Sequence, residues 1–159
     1  MFLNKRKAIL LISISLIIFF LTYNQVKSQI IKIVDGDTIH LNGEKIRFTG
    51  IDTPELKQTC IKEKISNYCG VTAKQILIDK IADNTIKCIK EGKDQYKRTL
   101  AECFVNNESL SSYLVRSGYA FAYRKYSKKF IEDENFAKTN QFGMWSMKFE
   151  YPWDFRKNN

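Results

Sequence analysis

Two short acidic stretches, Asp35-Gly36-Asp37-Thr38 and Asp52-Thr53-Pro54-Glu55, bracket a run that reads as strand, tight turn and strand. The turn is marked by Asn42-Gly43, the dipeptide that best tolerates the left-handed backbone of a two-residue hairpin. Folding residues 38 to 51 back at that point brings both acidic ends to one edge of a sheet, beside Arg47. Carboxylates crowded there repel one another unless a cation lies between them. The pattern therefore predicts a site for a hard divalent ion and for phosphate, built at one end of a hairpin.

The chain has 159 residues, enough for one domain with a proper core and too few for two. Lys5, Arg6 and Lys7 precede an apolar run from Ala8 to Leu21, and small and polar residues follow through Val26-Lys27-Ser28. That order is the pattern of a secretory signal peptide, predicting a leader at 1–28 and the working domain at 29–159. The run is shorter than the roughly 20 residues that span a bilayer, so the segment is either cleaved or kept as an N-terminal anchor through residues 8–21. Either outcome predicts an exported chain, periplasmic or secreted, with membrane contact only where the segment is uncleaved. Export puts Cys60, Cys69, Cys88 and Cys103 in an oxidising compartment, where an even count predicts disulfides. Cys88 and Cys103 flank a turn-like centre near Asp94 to Lys97 almost symmetrically, which predicts a hairpin with those two bonded and Cys60 bonded to Cys69. A zinc site is the rival reading, but the chain has no C-x-x-C pair and His40 is its single histidine. The same solitude excludes mechanisms that need two histidines, and bridged thiols exclude a Cys/His nucleophile.

The formal net charge is +9, yet Lys5, Arg6, Lys7 and Lys27 fall in the leader; residues 29–159 keep 22 basic against 17 acidic residues, a net of +5. That excess suits an anionic polymer without specifying one. Alternation of Ile31, Ile33, Ile39 and Leu41 predicts two strands around Asp35-Gly36-Asp37, and Glu44 to Ile51 a third. In Asp35 and Asp37 the residues also read as turn formers beside Gly36; Asp35 is assigned to the turn. Asp52 to Gly70 reads as a long loop tied down by its disulfide. Ala73, Ile76, Leu77 and Ile81 predict an amphipathic helix from Val71 to Ala82. Thr85–Lys90 and Arg98–Val105 read as the stapled hairpin, Ser109–Ser117 as a helix ended by Gly118, Tyr119–Tyr123 as a strand, and Phe130–Gln141 as a last helix. The aromatic tail Trp145, Phe149, Tyr151 and Trp153 is expected to pack back onto the body. This order fits an α+β fold around a small Greek-key barrel of the OB type.

DGDT, the spacing in IRFTGIDTPE, and DQYKR together resemble the thermonuclease, or staphylococcal-nuclease-like, family, over about Gln29 to Trp145. The four cysteines resemble the pattern of its exported Gram-negative members. The resemblance implies a five-stranded OB-fold β-barrel with three α-helices and a calcium-dependent nuclease with little sequence specificity. It implies DNA and RNA as substrates, preferably single-stranded, with 3′-phosphate ends as products; no stable protein partner is expected.

By position, Asp37 and Asp52 resemble the family's calcium-binding carboxylates, and Thr53 the residue that offers a backbone carbonyl. The chemistry agrees, since calcium takes oxygen ligands in a forgiving geometry and Pro54 biases Thr53 towards an extended backbone. Arg47 and Arg98 resemble the two phosphate-binding arginines, whose planar guanidinium donates paired hydrogen bonds to phosphate oxygens. Glu55 matches the glutamate proposed to activate water; an ordinary carboxylate is a weak base at neutral pH, so orienting water or holding the two arginines stays open as its role. Tyr96 matches a tyrosine near the nucleotide. Tyr126, among Arg124, Lys125, Lys128 and Lys129, is a candidate for base stacking, whereas alternation of Tyr119, Phe121 and Tyr123 reads as core packing. One departure stands out: the family commonly has glycine before the second arginine, and this chain has Lys97. That departure motivates a rival reading, an OB-fold nucleic-acid-binding module without catalysis; a structural calcium-binding domain is a third.

Overall fold

Alternating isoleucines build β1 (Ile31–Ile33) and β2 (Thr38–Leu41) as an antiparallel pair with Ile33 opposite Ile39. Between them Asp35 Oδ1 accepts the Asp37 N–H at 3.1 Å and Thr38 O accepts the Val34 N–H at 2.9 Å, so the acidic stretch is a closed turn. β3 (Glu44–Phe48) returns through Asn42 and Gly43, both left-handed at φ 52° and 85°, and sets Thr38 opposite Arg47. The computed structural model describes residues 28–159, so all of the expected leader but Ser28, its apolar run 8–21 included, lies outside the described residues. No helix among the described residues is long and apolar enough to cross a membrane.

The third strand stops sooner than its alternation predicts. The chain turns at Thr49-Gly50, where Gly50 has φ 73°, and β4 (Ile51–Asp52) leaves the main sheet to pair with β10 (Phe121–Ala122), Asp52 lying opposite Phe121. A continuous strand would hold residues 47 and 52 about 16 Å apart; the reversal instead lets their side chains touch. Residues 52–70, expected as loop, contain a second hairpin, β5 (Thr59–Lys62) and β6 (Ile65–Tyr68). Its turn residues, Glu63 and Lys64, are left-handed at φ 50° and 68° without glycine, so the usual turn signature is missing from the sequence. Cys60 is bonded to Cys69 at the far end of this hairpin.

Helix α1 (Cys69–Ile81) begins two residues earlier than its periodicity and buries Ala73, Leu77 and Ile81. β7 (Ile86–Lys93) and β8 (Thr99–Val105) form the expected hairpin, with Cys88 directly opposite Cys103 and bonded to it across 15 residues. In the chain-entropy account a loop of that size adds about 3 kcal/mol. β8 also runs parallel to β3, Ile46 opposite Thr99, giving the order β1-β2-β3-β8-β7, with β9 (Glu108–Ser109) on β8. Gln29 brings the sheet round: its side chain donates to Ile86 O at 2.8 Å and accepts from Ile86 N at 2.7 Å. The result is an α+β OB fold whose interior holds Ile39, Ile46, Phe48, Leu77, Ala101 and Leu110.

α2 (Leu110–Arg116) is capped by Ser109, whose Oγ accepts the Ser112 N–H, and α3 (Ile131–Thr139) packs on it. A 3₁₀ turn (Gly143–Ser146) then leads into a second cluster, where Phe121 meets Trp145, Phe149, Tyr151 and Trp153 at 5.1–6.1 Å between ring centroids. A fourth α-helix, α4 (Pro152–Asn158), follows; the aromatic reading of the tail overlooked it. Its signals were present, with proline at the start, Asp154 in the first turn and Arg156 and Lys157 in the last.

Gly70 couples this scaffold to the acidic loop. A Cβ there would stand 2.0 Å from Glu55 O and 2.7 Å from Pro54 O, so the first turn of α1 rests directly on the Pro54-Glu55 backbone. Gly70→Ala is expected to destabilise the protein by about 1–3 kcal/mol in urea unfolding, because the backbone it meets has no slack.

Candidate active site

Asp37 closes the β1–β2 turn with its side chain buried. Its Oδ2 accepts the Thr53 N–H at 2.9 Å and the Thr53 hydroxyl at 2.8 Å, sewing the two acidic stretches together. Close approach needs Gly36, since a Cβ there would lie 2.9 Å from Thr53 Oγ1 and 3.0 Å from the Ala73 Cβ. Arg47, projecting from β3, ion-pairs with Asp37 through Nη1 and with Asp52 Oδ1 through Nη2 at 2.8 Å; Nη2 also donates to Ile51 O at 3.3 Å. One guanidinium thus bridges two buried carboxylates. Burial pushes that guanidinium down from its ordinary pKa, Asp52 and Asp35 pull it up, and the positive charge of Arg98 pushes it down again.

Asp52 is satisfied from a second side as well. Arg156 of α4 donates from Nη2 to Oδ2 at 2.6 Å and from Nη1 to Oδ1 at 3.2 Å, and Nη1 also reaches Glu55 Oε1 at 2.8 Å. Burial opposes charge on Arg156, but hydrogen bonds to Asp52 and Glu55 outweigh it and raise its pKa above the ordinary arginine value. Glu55 is half-exposed at the rim. Buried Gln58 anchors its backbone: Gln58 N donates to Glu55 O at 2.8 Å, and Gln58 Nε2 donates to Glu150 O at 2.6 Å. Gln58 and Arg156 are the site residues that sequence reasoning missed, Gln58 because its partner is 92 positions away.

Arg98 lies on the neighbouring turn, held by Asp94 rather than by the Asp37–Asp52 pair. Its Nε donates to Asp94 Oδ2 at 2.6 Å, while Asp94 Oδ1 accepts the N–H groups of Tyr96 and Arg98, both at 2.9 Å. Desolvation works to raise the Asp94 pKa, but the hydrogen bonds from Arg98 prevail and hold the carboxyl below its ordinary range. Lys97, in the position where glycine was expected, has φ 63°. Tyr96 is 70% exposed, with the Arg98 guanidinium 5.5 Å from its ring centroid. Tyr126, 73% exposed, lies edge-on to Tyr123 at 5.1 Å. Tyr123 in turn stacks on Trp153 at 5.7 Å and 17°, so it belongs to the packed aromatic layer.

Among the described residues no group of three or more His, Cys, Asp or Glu side chains converges to hold a metal. What converges is a pair of carboxylates, Asp37 and Asp52, with Thr53 adjacent to both. The donors are hard oxygens with no sulfur or nitrogen, and the pair already attracts two cationic side chains, Arg47 and Arg156; that chemistry fits a hard divalent ion.

Residues 45–147 match the sequence profile of the staphylococcal nuclease homologues. The chain belongs to that family. It is similar, at 28% identity over 125 residues, to an uncharacterized endonuclease of Haemophilus influenzae; the match covers 74% of this chain and 65% of that protein. An uncharacterized protein of Methanocaldococcus jannaschii is 30% identical over 79% of this chain and 74% of its own length. A staphylococcal-like nuclease of Arabidopsis thaliana is 29% identical over 72% of this chain and 33% of its own length. The chain thus spans just under two thirds of the Haemophilus relative. Asp37 and α4 both lie outside the residues matched by the family profile.

The Asp94–Arg98 pair has a directional pH consequence. Because the folded carboxyl is held below its unfolded value, the pair contributes fully above that value and is lost as pH falls through the depressed one. Unfolding free energies of the protein and of Asp94→Asn are therefore expected to differ by a constant amount from about pH 5 to 8 and to converge below about pH 4.

Proposed function

We propose that this chain is an exported nuclease that hydrolyses the phosphodiester bonds of DNA and RNA with little sequence specificity, using calcium. The observation that carries the reading is the bridge itself. Two buried aspartates, one from a turn and one from β4, converge on one largely buried guanidinium, with a rim glutamate beside them. Such a concentration of charge is costly in a small barrel and adds nothing to packing. Membership of the nuclease homologue family, and the likeness to the Haemophilus endonuclease and the Arabidopsis nuclease, support the same activity.

In this reading Asp37, Asp52 and the Thr53 carbonyl hold the ion, which when bound supplies positive charge beside the phosphate. Arg47 and Arg98 donate hydrogen bonds to the phosphate oxygens, where negative charge grows in the transition state. Glu55 accepts a proton from the attacking water. The water oxygen bonds to phosphorus as the P–O5′ bond breaks, and O5′ takes up a proton; the products are a 3′-phosphate and a 5′-hydroxyl. Exposed Tyr96 and Tyr126 offer ring faces to unpaired bases, which favours single-stranded substrates. Two disulfides support an oxidising compartment, and with it a leader at 1–28.

Incubation with single-stranded DNA is expected to give chelator-sensitive cleavage in calcium. Arg47→Lys and Arg98→Lys should each lower turnover by about two to three orders of magnitude while circular dichroism stays native. Binding of the DNA without chelator-sensitive cleavage would establish the non-catalytic OB module instead.

A further inference from the structure

The C-terminal helix places a third arginine on the candidate site, outside the residues that match the family. Arg156 contacts both oxygens of Asp52 and one of Glu55, so it engages the carboxylate assigned to the ion and the one assigned to water at once. Its side chain is 40% exposed whereas that of Asp52 is 1% exposed. The arginine has an open route to solvent; the aspartate does not. Stripped of Arg156, buried Asp52 keeps only Arg47 as a cation, and Arg47 is shared with Asp37, while Glu55 loses its partner; a positive group is therefore what best replaces the departing guanidinium. A divalent ion ligated by Asp52 is also repelled by the guanidinium beside it.

The helix that carries Arg156 is built to give way. α4 has seven residues, too short to be stable alone, and its one fully buried residue is Pro152. Trp153 stacks on Tyr151 at 4.6 Å and 10° and on Tyr123 at 5.7 Å and 17°, and Asn158 Nδ2 donates to Glu150 Oε1 at 2.5 Å. Together with the arginine's ion pairs, these few contacts hold the helix across the site.

We propose that Arg156 is a resident counter-cation, which neutralises Asp52 and Glu55 in the resting protein and is displaced by the divalent ion, so that it sets how tightly the ion binds. The proposal rests on the reading of Asp37 and Asp52 as the ion's ligands, and it makes Arg156 a determinant of cation affinity rather than a residue that stabilises the ion site. Loss of α4 contact on ion entry follows from the same geometry.

Calorimetric titration of the full protein and of Arg156→Gln with calcium tests it. The variant should bind calcium about tenfold more tightly, the effect of removing one competing charge-assisted pair. Arg156→Lys, which keeps the charge without the fork, should fall between them. The chain has two tryptophans, so in a Trp145→Phe background Trp153 reports on α4 alone. Its emission should change on calcium addition to the protein carrying Arg156 and should already be changed in Arg156→Gln without calcium. Calcium affinity that is unchanged or weaker in a folded Arg156→Gln, or absent from both proteins, overturns the proposal. Cleavage assays on the same samples separate the two readings: tighter calcium binding without cleavage leaves the counter-cation intact and removes the nuclease, and cleavage with unaltered affinity does the reverse.

Discussion

The salt bridge from Arg47 to both Asp37 and Asp52 is the constraint around which this barrel end is organised. Each partner comes from a different local structure: a turn, a strand and a strand that has left the main sheet. Because the groups are largely buried, removing Arg47 leaves Asp37 without a cation, a defect costing about 3–5 kcal/mol. That penalty fixes the relative positions of the β1–β2 turn, β3 and β4 more firmly than apolar contacts, which tolerate small shifts. The Thr53 hydrogen bonds to Asp37 and the seat of α1 on Pro54-Glu55 extend the same rigidity to the glutamate. Catalysis of the kind proposed needs charges fixed before substrate arrives, and this fold keeps its charges paired and in place.

How far this was legible in the sequence depended on the range of the interactions. Asn42-Gly43, the alternation of Ile31 to Leu41 and the symmetric cysteines are local signals, and β1, β2, the start of β3 and the β7–β8 hairpin follow from them. The break after Phe48 was hidden because Thr49 and Ile51 are good strand residues; Gly50 at φ 73° and the pull of β10 decide it. The Glu63-Lys64 hairpin was hidden because its turn adopts left-handed backbone without glycine. The acidic residues and Arg47 could be named from motif spacing, whereas Gln58 and Arg156 act through partners roughly a hundred positions away. Spacing carries no trace of such pairs.

The aromatic tail shows how a second core can serve the first. Phe121 is next to β4 in register and at the centre of the cluster formed by Trp145, Phe149, Tyr151 and Trp153. Aromatic pairs of this kind are worth about 0.5–1.5 kcal/mol each beyond the area they bury. Through Phe121 they therefore help secure the strand paired with the one that carries Asp52. Cys60 and Cys69 close the same cluster, so the disulfide braces the wall beneath the acidic loop as well as restricting the unfolded chain.

The turn before Arg98 resolves a conflict between backbone and function. A lysine at φ 63° costs roughly 1 kcal/mol relative to glycine. Asp94 offsets it: one carboxylate oxygen takes the Tyr96 and Arg98 N–H groups, and the other takes the Arg98 side chain. Three charge-assisted hydrogen bonds exceed the strain of one left-handed residue. The substitution thus leaves the turn closed while adding a cation beside Arg98, and the Arg98 guanidinium is aimed by Asp94 rather than by a flexible glycine. In this chain the carboxylate at the start of the turn, more than the residue before the arginine, determines where that guanidinium points.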